Sequence, residues 1–198
     1  GYLDQRARLN HASPQNKQAL ERLNLPEGKW VLCQVGGGQD GADLALAFAQ
    51  ARFPTDTFGI VLTGPFMPLA MQQRLSLYAA QNPQLRVLEY VEEPTLLLER
   101  ADRVVAMGGY NTACEILSFQ KPALLVPRVR PRLEQWIRAE RLQQMGLVEA
   151  LHPTDLSPQA ITDWLQRPAP LPQDNPRVDL NGLNNLLLEL EQVLDVPA

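Results

Sequence analysis

Between residues 29 and 150 the chain alternates between two hydrophobic patterns. Runs that are apolar throughout are WVLCQV (30–35), FGIVLT (58–63), LRVLEYV (85–91), RVVAM (103–107), PALLVP (122–127) and the weaker LVEAL (147–151). A short run that is apolar at every position, rather than at every second one, is a strand covered on both faces. Between these runs lie ADLALAFAQARF, PLAMQQRLSLYAAQ, PTLLLERA, NTACEILSFQ and LEQWIRAERLQQMG, where apolar residues return at helical spacing. The alternation predicts an α/β fold: a doubly wound, parallel, Rossmann-like sheet of about six strands with right-handed crossovers. Ligands of such sheets bind beyond the carboxyl ends of the strands. The loops that matter are therefore those after residues 35, 63, 91, 107 and 127.

The flanks read differently. Residues 1–26 form a polar lead-in or interdomain linker region with one short helix over 14–23, and residues 27–166 form the α/β body. RPAPLPQDNPR lies in a Pro-rich connector over 167–178, where repeated prolines remove N–H donors and forbid a helix. Residues 179–198 form a terminal amphipathic helix, with Leu183, Leu186, Leu187, Leu190 and Val193 on one stripe. That stripe is expected to pack on something.

Charge narrows the picture. A net charge of −4 and a pI near 5.2 exclude a general nucleic-acid binder. No apolar run approaches the roughly 18 residues of a membrane span, and GYLDQRARLNHAS has no apolar signal region. Cys33 and Cys114 sit inside apolar segments without CxxC or Cys/His spacing. They read as small core residues in a reducing, cytoplasmic compartment. His11 and His152 fall outside the site loops and read as surface residues. No Asp-x-Asp and no His/Cys/carboxylate cluster is present, so neither a metal nor a cofactor is expected.

Three loops carry candidate chemistry. GGGQDGA (36–42) follows the first strand and opens a helix, and Gly36, Gly38 and Gly41 fit G-x-G-x-x-G. Glycines there let backbone N–H groups approach an anion at a helix N-terminus, although a tight turn alone would also use them. A dinucleotide site would need an acid about 20 residues on to hold the ribose. The second strand instead ends Leu62-Thr63-Gly64-Pro65. The second loop is Gly108-Gly109 and the helix it opens. Thr112-x-x-Glu115 matches a capping box, in which Glu115 serves only the helix's own N–H. A carboxylate there could also accept two vicinal hydroxyls of a ribose. The third loop carries Arg128, Arg130 and Arg132, suited to a diphosphate or simply solvated. Glu134-Gln135 follows and suits sugar hydroxyls or compensation of the helix dipole.

Together the GGGQDGA loop, ADRVVAMGGYNTACEILSFQKPALLVPR and LEQWIRAERL resemble the C-terminal, donor-binding half of GT-B glycosyltransferases, the MurG-like glycosyltransferase family 28 C-terminal domain. The resemblance covers roughly residues 29–150 and is most specific in the middle segment. It implies that 27–166 is a nucleotide-sugar-binding domain with a UDP-sugar as donor substrate. In that family the position matching Glu115 holds the ribose hydroxyls, and the main chain around Val91 contacts the uracil. The matches to Gly37, Gly38 and Gln39 lie against the diphosphate. Thr112 and the backbone of Gly108, Gly109, Tyr110 and Asn111 sit near the phosphates, and Glu134-Gln135 addresses the donor sugar. The chain departs from the family at Gly38, where Ser is frequent, at Asp40, which reads as an insertion, at Tyr110 and Asn111, and in the 128–132 loop. The resemblance implies an inverting, metal-independent transfer whose general base lies outside this chain. That base would come from an N-terminal acceptor-binding domain, in a longer chain or as a separate subunit, through which any membrane contact would run. The alternatives on the same scaffold are a UDP-sugar epimerase or hydrolase and a non-catalytic partner subunit docking through the leucine helix.

Overall fold

The computed structural model describes residues 1–9, 14–169 and 178–194. Six strands, β1 (Lys29–Gln34), β2 (Thr57–Leu62), β3 (Leu85–Leu88), β4 (Arg103–Ala106), β5 (Ala123–Leu125) and β6 (Glu149–Ala150), form one parallel sheet in the order β3-β2-β1-β4-β5-β6. This is the doubly wound fold that the unbroken apolar runs predict. Successive side chains of β1 go to opposite faces, and both faces are dry. Val31 and Cys33 meet one core, with Phe48, Leu75, Ile161 and Trp164. Trp30 and Leu32 meet the other, with Leu97, Ile116 and Leu142. Both cysteines are free and buried, and burial pushes the Cys33 thiol pKa well above its usual range.

Eight α-helices are described: α1 (Pro14–Arg22), α2 (Ala42–Ala49), α3 (Leu69–Gln81), α4 (Thr95–Arg100), α5 (Tyr110–Ser118), α6 (Glu134–Gln144), α7 (Pro158–Gln166) and α8 (Gly182–Leu194). α2, α3 and α7 cover the first face, and α1, α4, α5 and α6 the second. α7 lies beyond the alternating stretch of residues 29–150. Its signals are Ser157, whose hydroxyl accepts from the Ala160 N–H, a proline at the first helical position, and Ile161, Trp164 and Leu165 at i, i+3, i+4. Arg103 ties β4 to the end of this helix. Its guanidinium lies 3.7 Å over the Trp164 ring and donates to the carbonyls of Trp164, Leu165 and Arg167. A cation at a helix C-terminus also complements the dipole.

The segment over 1–9 packs on the body. Gln5 N–H donates to the Ser118 hydroxyl, Tyr2 stacks on Tyr110, and Leu9 is buried. Leu3 bridges Asn181, and the Tyr2 carbonyl accepts from Gly182 N–H. The start of α8 is thereby clipped to the N-terminal segment. The expected packing of its leucine stripe does not occur among the described residues: Leu183, Leu186, Leu187 and Leu190 are 47–61% exposed. The helix is held by backbone bonds at its first turn, and these leave its apolar face open. The Val193 side chain, His11 and residues 170–177 of the connector lie outside the described residues. Among the described residues no helix is long and apolar enough to cross a membrane.

Candidate functional site

The chain leaves β1 toward β2 on one side of the sheet and later returns to β4 on the other. The loops after β1 and β4 therefore part at their carboxyl ends and open a crevice of about 250 Å³. Its first wall is the loop after β1. Gly38 N–H donates to the Val35 carbonyl at 3.2 Å, closing a tight turn, and Phe66 N–H donates to the Gly37 carbonyl at 2.8 Å. The turn is thus stitched to the loop after β2. Gly38 has φ +93°, and a Cβ there would lie 2.2 Å from the Thr63 carbonyl oxygen. Only glycine permits both that backbone and that approach.

The second wall is the loop after β4 and the start of α5. The Gly108 carbonyl accepts from Arg138 at 3.1 Å, and Gly109 takes the N-cap position without a side-chain cap. The first helical bond runs from Ala113 N–H to the Gly109 carbonyl, so the amides of Tyr110, Asn111 and Thr112 have no helical partner. α2 begins in the same way behind Gly41. Two helix N-termini therefore bring positive potential to one end of the sheet.

Arg128, on the loop after β5, closes the third side. Its guanidinium is 2.7 Å from Asp40 and 3.5 Å from Glu134, and the Arg128 backbone N–H donates to the Gln135 amide oxygen at 3.2 Å. The hydrogen bond that the Arg128 guanidinium donates to the Asp40 carboxylate holds the Arg128 pKa above its ordinary value.

Of the residues singled out in the sequence, Gly36, Gly37, Gly38, Gln39, Gly108, Gly109, Thr112, Arg128 and Gln135 border the crevice, and Gly41, Val91, Tyr110, Asn111, Glu115, Arg130, Arg132 and Glu134 do not. Val91 is half-buried on the loop after β3, against the face that α4 and α5 cover. Tyr110 stacks on Tyr2, Asn111 and Arg130 are exposed, and Glu134 reaches Arg128. Glu115 is 4% exposed and accepts from the Thr95 hydroxyl at 3.0 Å, bracing α5 against α4. The expected capping box does not form. The helix starts at Tyr110 with Gly109 as its cap, so Thr112 is its third residue and Glu115 lies in its second turn. The carboxylate faces the neighbouring helix instead of its own first amides. His152, expected on the surface, is half-buried, packs edge-on against Trp136 and accepts from Thr154 N–H.

The crevice also takes in residues to which the motifs assign no part. Gln34, Phe66 and Met107 line the crevice, as does Asp40, which the sequence marks only as an insertion. The one signal for Gln34 is a polar residue inside an otherwise apolar strand. Among the described residues no group of three or more His, Cys, Asp or Glu side chains is gathered as a metal site.

Comparison with known proteins bears on this geometry. The model of the glycosyltransferase family 28 C-terminal domain matches residues 31–175. One relative is the UDP-N-acetylglucosamine–N-acetylmuramyl-(pentapeptide) pyrophosphoryl-undecaprenol N-acetylglucosamine transferase of Haemophilus influenzae (strain PittGG). It is 25% identical over 97 residues, 49% of this chain and 28% of that protein. The enzyme of the same name from Clostridium kluyveri is 33% identical over 82 residues, 40% of this chain and 23% of that one. This chain thus matches about a quarter of the length of these relatives. Among solved structures, the Staphylococcus aureus MnaA-UDP co-structure superposes with a TM-score of 0.60 at 12% identity, covering 95% of this chain and 49% of that one. The calicheamicin glycosyltransferase CalG4 gives a TM-score of 0.58 at 23% identity, covering 73% and 36%. At those identities the superpositions speak to the fold alone.

Proposed function

The chain belongs to the glycosyltransferase family 28 C-terminal domains, and from that premise we propose that it is the half of an inverting, metal-independent glycosyltransferase that binds a UDP-sugar donor. The observation that carries this reading is the convergence of two glycine loops, an uncapped helix N-terminus and Arg128 on one crevice at the point where the strand order reverses. Backbone amides and a guanidinium there suit the diphosphate. The ribose hydroxyls go to the Glu115 carboxylate, between α4 and α5. The uracil lies against the main chain near Val91, and the transferred sugar near Glu134 and Gln135.

In the transfer, an acceptor hydroxyl attacks the anomeric carbon from the face opposite the diphosphate. The anomeric carbon–oxygen bond breaks as the new one forms, and UDP leaves with its electron pair. This chain's part is to meet the charge that grows on the leaving phosphate oxygen, with donors fixed before the reaction begins. A base outside the chain takes the acceptor proton. A crevice of about 250 Å³ is smaller than a usual ligand pocket of ~300–1,000 Å³, which supports a second wall supplied by an acceptor-binding domain. We therefore expect this chain alone to bind UDP weakly and transfer nothing.

Arg128 provides the test. Its ion pair with Asp40 competes with the diphosphate for the same guanidinium. Calorimetric titration should show UDP binding Arg128→Ala about tenfold more weakly and Asp40→Asn severalfold more tightly, each charge-assisted contact being worth roughly 1.5–3 kcal/mol. Wild-type affinity in both variants would remove the diphosphate from this crevice.

A further inference from the structure

β1 is apolar from Trp30 to Cys33 and then ends on Gln34, directly between Leu62 of β2 and Ala106 of β4. These two neighbours carry no side-chain donor. Gln34 lies on the same face of the strand as Trp30 and Leu32, the face that α4 and α5 cover. The residue is 8% exposed, and its side-chain amide oxygen is buried without a hydrogen-bond donor among the described residues. The residue nevertheless borders the crevice at the β1/β4 switch point. A buried acceptor without a donor destabilises a fold, and native structures rarely keep one without a use.

The chemistry of the missing donor is restricted. Diphosphate oxygens are acceptors and cannot satisfy a carbonyl. A sugar hydroxyl can. Rotation about the last torsion of a glutamine side chain is soft, so the amide turns at little cost to present its oxygen to the crevice. We propose that Gln34 is a sugar-reading residue, whose carbonyl accepts from a hydroxyl of the transferred hexose while the flanking loop amides hold the phosphates. This rests on the nucleotide-sugar reading of the crevice and adds to it a residue outside the glycine, glutamate and arginine positions.

The test compares UDP with UDP-glucose and UDP-N-acetylglucosamine on the full chain and on Gln34→Met, which keeps the side chain's length and removes its polar atoms. UDP affinity should stay within about twofold. The UDP-hexose that wild type binds more tightly should lose about tenfold, the usual effect of one buried hydrogen bond. The unliganded variant should melt at or above the wild-type temperature, because an unsatisfied acceptor has been replaced by an apolar group of similar shape. Gln34→Leu is read in the same way and supplies the answer if the methionine variant does not fold. Equal losses for UDP and UDP-hexose, or a lower melting temperature with unchanged binding, would overturn the role of Gln34 and leave the donor site standing. A wild-type chain that binds neither UDP nor a UDP-hexose would remove both.

Discussion

Glu115→Gln should weaken UDP binding about tenfold while leaving the fold intact. On the proposed reading the carboxylate would accept charge-assisted hydrogen bonds from a ribose diol, each roughly twice as strong as its neutral counterpart. The amide keeps the shape and still offers an oxygen to the Thr95 hydroxyl, which Glu115 accepts at 3.0 Å. Loss of packing is therefore small, and the change falls on the ligand. A second ligand separates this role from mere bracing of α5 against α4. 2′-Deoxy-UDP should bind wild type more weakly than UDP does, and it should lose less than UDP on going to the variant. If both ligands lose affinity equally, Glu115 acts only through the position of α5.

Gly38→Ala should destabilise the chain by about 2–5 kcal/mol, with the melting temperature falling by roughly 5–15 °C. Two effects add. The residue sits at φ +93°, where an L side chain is strained, and its Cβ would stand 2.2 Å from the Thr63 carbonyl oxygen and 2.8 Å from the Met67 nitrogen. Both contacts are backbone, so relief requires the loops after β1 and β2 to separate, breaking the bond from Phe66 N–H to the Gly37 carbonyl. Gly109→Ala is the control. Gly109 has φ −56°, and a Cβ there would meet nothing within 4 Å. That variant should melt with the wild type and lose UDP affinity, because its methyl group projects into the open space through which, on the proposed reading, a phosphate approaches the α5 amides. Thermal melts and UDP titrations of the two variants should thus diverge: Gly38 serves the loop, and Gly109 serves the ligand.

The six strands are legible in the sequence because burial on both faces leaves a strong one-dimensional trace. WVLCQV and RVVAM have to be apolar at nearly every position to sit in the middle of such a sheet. The strand order follows less directly, but the position of the glycine loops at strand ends already marks the carboxyl edge as the place to look. α7 is less legible because Ser157-Pro158 reads as a loop signal and the Pro-rich stretch begins soon after its end. The same two residues are its cap and first turn. Thr112 and Glu115 misled on local grounds. Their spacing satisfies a capping box with Thr112 as cap, but the cap of α5 lies three residues earlier, where Gly109 supplies the backbone geometry without a side chain. Gln34 and Phe66 belong to the crevice through tertiary contact alone. One ends a core strand and the other sits on a loop stitched to its neighbour by a backbone hydrogen bond. No periodicity records either.

The helix α8 shows the opposite limit. Its leucine stripe is plain in the sequence, and the structure leaves that stripe uncovered among the described residues. Amphipathic spacing says that a face is apolar, and only the fold says what meets it.

The most direct measurement of the central claim is a map of backbone amide shifts in a 1H–15N spectrum of the full chain titrated with UDP. The largest movements should fall on Gly36 to Gly38, on Gly109 to Thr112, and on Arg128, with smaller ones at Val91 and Glu115. The other end of the sheet holds a larger and more basic cavity, of about 660 Å³, bordered by Lys29, Arg100, Lys121 and Arg167. Shifts concentrated there, with the two glycine loops unmoved, would contradict the assignment of the nucleotide to the switch-point crevice.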